Sequence, residues 1–192
     1  MKKILFLIDG ASGTGKTDLI EYVESKQINA GILRKMTSRP IREEEKRNKA
    51  FLDLEFYSQD EFDSMMLDYT YEYRGYSYGF SKQQLNHFLK LYKYVFIIIR
   101  SIALMRKLVE VTKSAKVIKV YIHSDPSKVE QRLTNQGFTN DQINFRLSRI
   151  EEIYREYVLN SSFYDEVIVN NSDKGTYHRL IDNLLNKYSQ SG

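Results

Sequence analysis

The chain opens on a short apolar run, Ile4-Leu5-Phe6-Leu7-Ile8, closed by Asp9. A continuous run of that length predicts a strand buried on both faces. Leu19, Ile20 and Val23 then recur at helical spacing. Further strands are predicted over Ala30 to Met36, Tyr94 to Ile99, Lys116 to Ile122 and Glu166 to Val169. Between them lie helical stretches. Ser58 with Glu61 three residues on has the form of a capping box, and the helix after it is expected to carry Phe62, Met65 and Met66 on one face. Lys82 to Tyr92 reads as a helix, and another follows Ile99 through about Val111. Asp125-Pro126 opens a helix with proline at its first position, ending near Gly137. Thr139 or Asn140 caps a long helix to about Leu159, and a last helix runs from near Thr176 to about Tyr188. Strands alternating with helices imply an α/β fold with a parallel sheet covered on both faces.

The stretch 37–92 interrupts this alternation and has the look of an inserted subdomain. Residues 43–49, Glu-Glu-Glu-Lys-Arg-Asn-Lys, suggest a solvated loop, and Phe51 to Tyr57 a short strand. Tyr69 to Tyr78 is dense in tyrosine and predicts strands of a small separate sheet. Tyrosines 69, 71, 73, 76 and 78 are there read as cross-strand packing rather than as base-stacking groups, with Tyr78 the exception. Two prolines and nine glycines in 192 residues leave no linker, so one domain over 1–192 is expected.

Composition changes this picture mainly by exclusion. With 42% hydrophobic and 28% charged residues the chain has an ordinary globular balance. Met1-Lys2-Lys3 before an apolar run mimics a signal peptide, but the run stops at Asp9 after five residues. The stretch Tyr94 to Ile99 is far too short to span a bilayer. A cytoplasmic protein without membrane partners is expected, and Ser189 to Gly192 is expected to fray. The absence of cysteine removes disulfides, thiol catalysis and cysteine-ligated zinc. His87, His123 and His178 lack metal-ligand spacing and read as structural or surface residues. A net charge of +4 with no block of lysine and arginine gives no support for nucleic-acid binding.

The candidate chemistry is concentrated in Gly10-Ala11-Ser12-Gly13-Thr14-Gly15-Lys16-Thr17. Glycine, four residues, then Gly-Lys-Thr, placed between a strand and a helix, is the phosphate-loop pattern in its required context. The glycines let the backbone come close to an anion, and the helix N-terminus adds its positive dipole end. Ala11, Ser12, Gly13, Thr14, Gly15, Lys16 and Thr17 are the expected ATP-binding residues. Lys16 supplies charge to the β- and γ-phosphates, and the Thr17 hydroxyl is the expected ligand of Mg2+.

From here the chain resembles the guanylate kinase family over nearly its whole length. Thr37-Ser38-Arg39-Pro40-Ile41-Arg42, with Glu45, is similar to the family's Thr-Thr-Arg-x-Pro-Arg stretch and the glutamate that follows it. Phe56-Tyr57-Ser58, Glu61-Phe62, Gly75-Tyr76-Ser77-Tyr78-Gly79, Asp125-Pro126-Ser127, Arg132-Leu133, Gly137, Arg146-Leu147 and Tyr164-Asp165 through Asn170-Asn171 resemble later family segments in order. The resemblance implies a P-loop parallel sheet with a core at 1–36 and 93–192, a nucleoside-monophosphate-binding insertion at about 37–92 and a helical lid at about 126–150. It implies that Arg39, Arg42 and Tyr78 hold the acceptor phosphate, that Arg132 and Arg146 arrive on the transferring group with the lid, and that Asn170 lies beside the adenine. It further implies small-molecule nucleotide substrates and a monomer or homodimer.

The departures gather at the acceptor base. Where the family has Leu-Asp-Ile-Asp, this chain has Ile97-Ile98-Ile99-Arg100, so Ile98 and Arg100 stand in the places of both aspartates. Glu72 is the nearest glutamate to the position of the family's guanine-reading one. Leu54 replaces a phosphate-binding tyrosine and Gln136 a lid arginine. Isoleucine cannot accept from guanine's N–H edge, and arginine adds a donor there, which suits an acceptor with another phosphate or a carbonyl-rich edge. The expected function is transfer of the ATP γ-phosphate to a nucleoside monophosphate, GMP or dGMP by default. The alternatives are a kinase of the same fold with another phosphorylated acceptor, or a non-catalytic nucleotide-binding or interaction module.

Overall fold

The computed structural model describes residues 3–26, 28–46 and 53–189. The larger sheet is built from β1 (Lys3–Gly10), β2 (Ala30–Ile32), β7 (Tyr94–Ile98), β8 (Ala115–His123) and β9 (Glu166–Val169), in the order β2-β7-β1-β8-β9. Its β2–β7 and β8–β9 pairs are parallel. Residues Ile4–Gly10 of β1 and all five residues of β7 are buried, as continuous apolar runs require in a sheet covered on both faces. The helices are α1 (Lys16–Ser25), α2 (Glu43–Lys46), α3 (Gln59–Ser64), α4 (Lys82–Leu91), α5 (Ile102–Val111), α6 (Pro126–Asn135), α7 (Asn140–Leu159) and α8 (Lys174–Ser189).

A second sheet has the order β4-β3-β6-β5, from β3 (Lys35–Thr37), β4 (Leu54–Phe56), β5 (Tyr69–Tyr73) and β6 (Tyr76–Phe80). β5 and β6 form a hairpin with Tyr71 opposite Tyr78 and Tyr73 opposite Tyr76. Its two turn residues, Arg74 and Gly75, have φ of 57° and 74°, the double left-handed turn that matches strand twist.

Several expectations shift. The single strand predicted over Ala30 to Met36 is two strands in different sheets. The Leu33 amide donates to Phe96 O at 2.9 Å, whereas the Lys35 amide donates to Asp53 O at 3.0 Å, so the chain changes partner across Arg34. An apolar run reports burial, not which strand lies alongside. The helix expected to present Met66 ends early. Met65 is its C-cap, and Met66 has φ of 46° and is 90% exposed. The charged stretch begins as α2 rather than a loop, with the Glu45 and Lys46 amides donating to Arg42 O. Residues 47–49 of that stretch, 51 and 52 of the predicted strand and 190–192 of the tail lie outside the described residues, and Ser189 ends α8.

By its internal contacts the chain gathers into two compact units, Met1–Leu7 with Ile20–Val117, and Ile8–Leu19 with Ile118–Gly192. In the first, Phe6 stacks on Phe96 with ring centroids 4.8 Å apart. In the second, Ala11, Tyr121, Val129, Leu133, Ile143, Ile150 and Ile153 form a core, with Tyr121 and Tyr157 stacked at 4.0 Å. The phosphate loop belongs to the second unit; Arg39, Arg42, Tyr78 and Arg100 belong to the first.

Candidate active site

Within the second unit the loop leaves β1 at Gly10 and enters α1 at Lys16. Gly10, Gly13 and Gly15 have φ of 145°, 82° and 106°, backbone that favours glycine. None of the three has room for a side chain, Gly13 being closed off by Val129 Cγ1 at 2.6 Å from its Cβ position. A Cβ on Gly10 would lie 2.4 Å from Ile122 O, and one on Gly15 would lie 2.3 Å from Asn170 Nδ2. Lys16 Nζ donates to Gly10 O at 2.7 Å and to Ala11 O, which holds the ammonium over the loop. Thr14 is buried, and its hydroxyl donates to Ala11 O at 2.9 Å. Thr17 is exposed in the first turn of α1.

The loop is backed by residues far along the chain. Asn170 Nδ2 donates to Thr14 O at 2.9 Å, and the Tyr177 hydroxyl donates to Gly15 O at 3.0 Å. Arg132, on α6, donates to Ser124 Oγ at 3.1 Å, to Asn170 O at 2.7 Å and to Asn170 Oδ1 at 3.0 Å. Burial holds its pKa below the ordinary arginine value, yet a guanidinium stays charged at any working pH. Arg146, on α7, donates to Ser12 Oγ at 2.8 Å with its guanidinium 4.4 Å from the Phe138 ring centre. Lys16, Arg132 and Arg146 are thereby all tied to the loop or to the residue that backs it. Asp9, which the sequence reading used only to end a strand, is 1% exposed. It accepts from the Gly10 amide at 2.6 Å and from the Tyr164 hydroxyl at 2.6 Å, so it fixes the entry to the loop. Its place directly before Gly10 was the available signal. Ser124 and Tyr177 had none, being contacts across 110 and 162 residues.

In the first unit, Arg39 is 6% exposed and pairs with Glu45 through both ends of its fork, at 2.9 and 2.7 Å. Burial alone would lower its pKa, but the Glu45 hydrogen bonds and charge outweigh this and the net shift is upward. Glu45 also accepts from the Arg42 amide at 2.9 Å, which seats the turn carrying both arginines. Thr37 Oγ1 accepts from the Arg39 amide at 3.1 Å and donates to Ser77 O at 2.9 Å. Tyr78 is buried beside these groups. Desolvation raises its pKa, against the opposing charge of Arg39 and a hydrogen bond involving Thr37. Arg39, Arg42 and Tyr78 thus lie together. Arg100 lies along the same tyrosine face, 5.6 Å from the Tyr73 ring centre. Glu72 does not join them, because it alternates with Tyr71 and Tyr73 and points from the other face of the ribbon. Among the described residues no group of three or more histidine, aspartate or glutamate side chains is placed to hold a metal ion.

The guanylate kinase family model matches residues 2–187. The chain belongs to the guanylate kinase family. A search of curated proteins finds no match. Among solved structures, a guanylate kinase from Anaplasma phagocytophilum is similar at 19% identity and a TM-score of 0.62, covering 99% of this chain and 88% of that one. A shikimate kinase from Bacteroides thetaiotaomicron is similar at 14% identity and a TM-score of 0.51, covering 97% and 99%. Both likenesses show the fold, a parallel sheet flanked by helices of the P-loop type. Membership of the guanylate kinase family supports a nucleoside monophosphate kinase role, and this family generally uses ATP with Mg2+. The donor set fits an ion carried on phosphate oxygens. Mg2+ keeps several waters and takes few protein ligands, and the Thr17 side chain beside Lys16 is exposed.

Proposed function

We propose that the protein is an ATP-dependent phosphotransferase that passes the γ-phosphate to a nucleoside monophosphate, with GMP or dGMP as the family's default acceptor. The convergence of Lys16, Arg132 and Arg146 on the glycine loop and its backing carries this reading. Phosphoryl transfer asks the protein for positioning and charge, not for a covalent group. Lys16 and the loop bind the donor phosphates, Arg132 and Arg146 stabilise charge on the group in transit, and Asn170 lies on the adenine side. Arg39, Arg42 and Tyr78 grip the acceptor phosphate, with the Arg39 fork presented by Glu45. Thr17 would hold Mg2+, whose chemistry is to neutralise the phosphate oxygens. A bare interaction module would have no use for the cations gathered on the loop.

The test is coupled ADP release from Mg-ATP with GMP, dGMP, AMP, CMP, UMP and dTMP. Turnover with a member of the panel is expected, and Lys16→Ala should lower it by about 100-fold or more. Turnover that survives Lys16→Ala unchanged would sink the phosphate-loop assignment. A kinase acting on a different phosphorylated acceptor is the second reading, favoured by Ile98 and Arg100.

A further inference from the structure

The tyrosine face of the β5–β6 ribbon extends to both sides of Tyr78. Tyr69, Tyr71 and Tyr73 alternate with Thr70 and Glu72, so three rings share one face. Register sets Tyr78 opposite Tyr71, and the two rings stack at 5.2 Å with planes 14° apart. Cations follow this row. Arg39 adjoins Tyr78, the Arg100 guanidinium lies 5.6 Å from the Tyr73 ring centre, and Lys107 Nζ lies 5.3 Å from that of Tyr69. The acidic side chain of β5, Glu72, is on the opposite face. Tyr73 also carries the Arg74 guanidinium at 4.9 Å, so its ring acts as a post for guanidinium groups more than as a bare stacking platform. Ile98, at the end of β7 and 9% exposed, precedes Arg100 by two residues.

Guanine offers N–H donors from N1 and its exocyclic amine, and these need acceptors. Isoleucine has none, and arginine has donors alone. A site that leaves polar groups unpaired rejects a ligand strongly, and a repulsive element is as effective as a missing attraction. The arginine fork instead matches a pair of oxygens. Resting on the phosphotransferase reading above, we propose that the acceptor is a phosphomonoester whose far end presents oxygen lone pairs to Arg100, either a ring carbonyl edge or a second phosphate, and that guanine, whose N1 and exocyclic N–H groups find no acceptor there, is disfavoured against an oxygen-richer counterpart. Arg39 and Tyr78, beside the middle of the row, grip the reacting phosphate, and Arg100 reads the far end of the ligand at Tyr73, the turn end of the ribbon. Arg100 is then a specificity-determining residue, positioned by Tyr73.

Three matched pairs test this by calorimetric titration of the full chain: GMP against xanthosine 5′-monophosphate, CMP against UMP, and glucose 6-phosphate against glucose 1,6-bisphosphate. In at least one pair the oxygen-richer member should bind about tenfold tighter or more. A preference within the nucleotide pairs identifies a base edge, and one within the sugar pair a second phosphate. Arg100→Gln should collapse that ratio, with Arg100→Lys recovering it only in part, because lysine keeps the charge and loses the fork. Melting curves establish that each variant is folded; if neither folds, the wild-type ratios decide alone. No preference in any pair, tightest binding of GMP through its O6 and N7 edge, or a ratio indifferent to Arg100→Gln in a folded variant would each overturn the proposal. ADP release separates the two readings. ATP-dependent turnover of GMP without an oxygen preference removes the acceptor proposal and leaves the kinase, whereas loss of both ATP binding and phosphomonoester binding removes both.

Discussion

Gly15 shows how little latitude the phosphate loop has at a single residue. A methyl there meets Asn170 Nδ2 at 2.3 Å and the Tyr177 ring at 3.2 Å, on backbone with φ of 106°. Gly15→Ala is expected to cost about 2–5 kcal/mol from overpacking and backbone strain together, measured by urea unfolding. A change below 0.5 kcal/mol would mean that the loop relaxes freely. Glu45 is the other residue of high leverage. It faces the buried Arg39 fork with both oxygens, so Glu45→Ala leaves a buried charge without its carboxylate. Glu45 is itself partly open, so the expected loss is about 2–3 kcal/mol, the low side for a broken buried pair. Acceptor affinity should fall with it, because the fork loses its orientation; Glu45→Asp should restore stability in part. The loop glycines and Lys16 were legible because local spacing encodes them, whereas the Arg39–Arg42 pair stood out only through the family resemblance. Asp9 was not legible, since an acid after an apolar run reads as the end of burial, and a partner such as Tyr164, 155 residues away, cannot be seen from local sequence.

At the scale of elements, end signals proved the most readable part of the chain. Ser58 and Thr139 each make the full reciprocal capping box, and Ser81 makes a third with Gln84. Thr139→Ala should therefore cost about 1 kcal/mol and fray the first turn of α7, which carries Arg146 on its second turn. Amide exchange at residues 140–143 is the direct measurement; unchanged protection there would show that packing, not the cap, starts the helix. The strand over Ala30 to Met36 was misread because an apolar stretch can change sheets without changing composition. The end of β7 gives a sharper experiment. Ile98→Asp with Arg100→Asp would place two carboxylates at the proposed base end of the acceptor site, and GMP use should then rise relative to UMP. If the double variant only destabilises the fold, Ile98 is there for packing.

For the molecule as a whole, buried tyrosines tie stability to pH on the alkaline side. Burial pushes Tyr177 far above its ordinary pKa, with Asp18 adding to the shift. Tyr188 is raised in the same direction by burial and by its hydrogen bond to Glu166. A group whose folded pKa is raised keeps its proton longer in the folded chain than in the unfolded one. Its stabilising contribution is complete below the unfolded value of about 10 and is lost as pH rises from there through the folded value. The urea midpoint should therefore be level from about pH 7 to 9 and fall above about 10. Tyr177→Phe should flatten that fall while lowering stability at neutral pH by about 1 kcal/mol through the lost bond to Gly15 O. An identical alkaline slope in the variant would clear Tyr177 of the effect. The same bond has a consequence in time. The loop is synthesised within the first 17 residues, yet the amide and the phenol that brace it come from residues 170 and 177. A nascent chain thus carries the phosphate-binding sequence without the parts that hold it in shape until residues 170 and 177 are made. Nucleotide capture is accordingly a property acquired only once residue 177 has been made, and a message truncated before residue 170 encodes the motif without either brace.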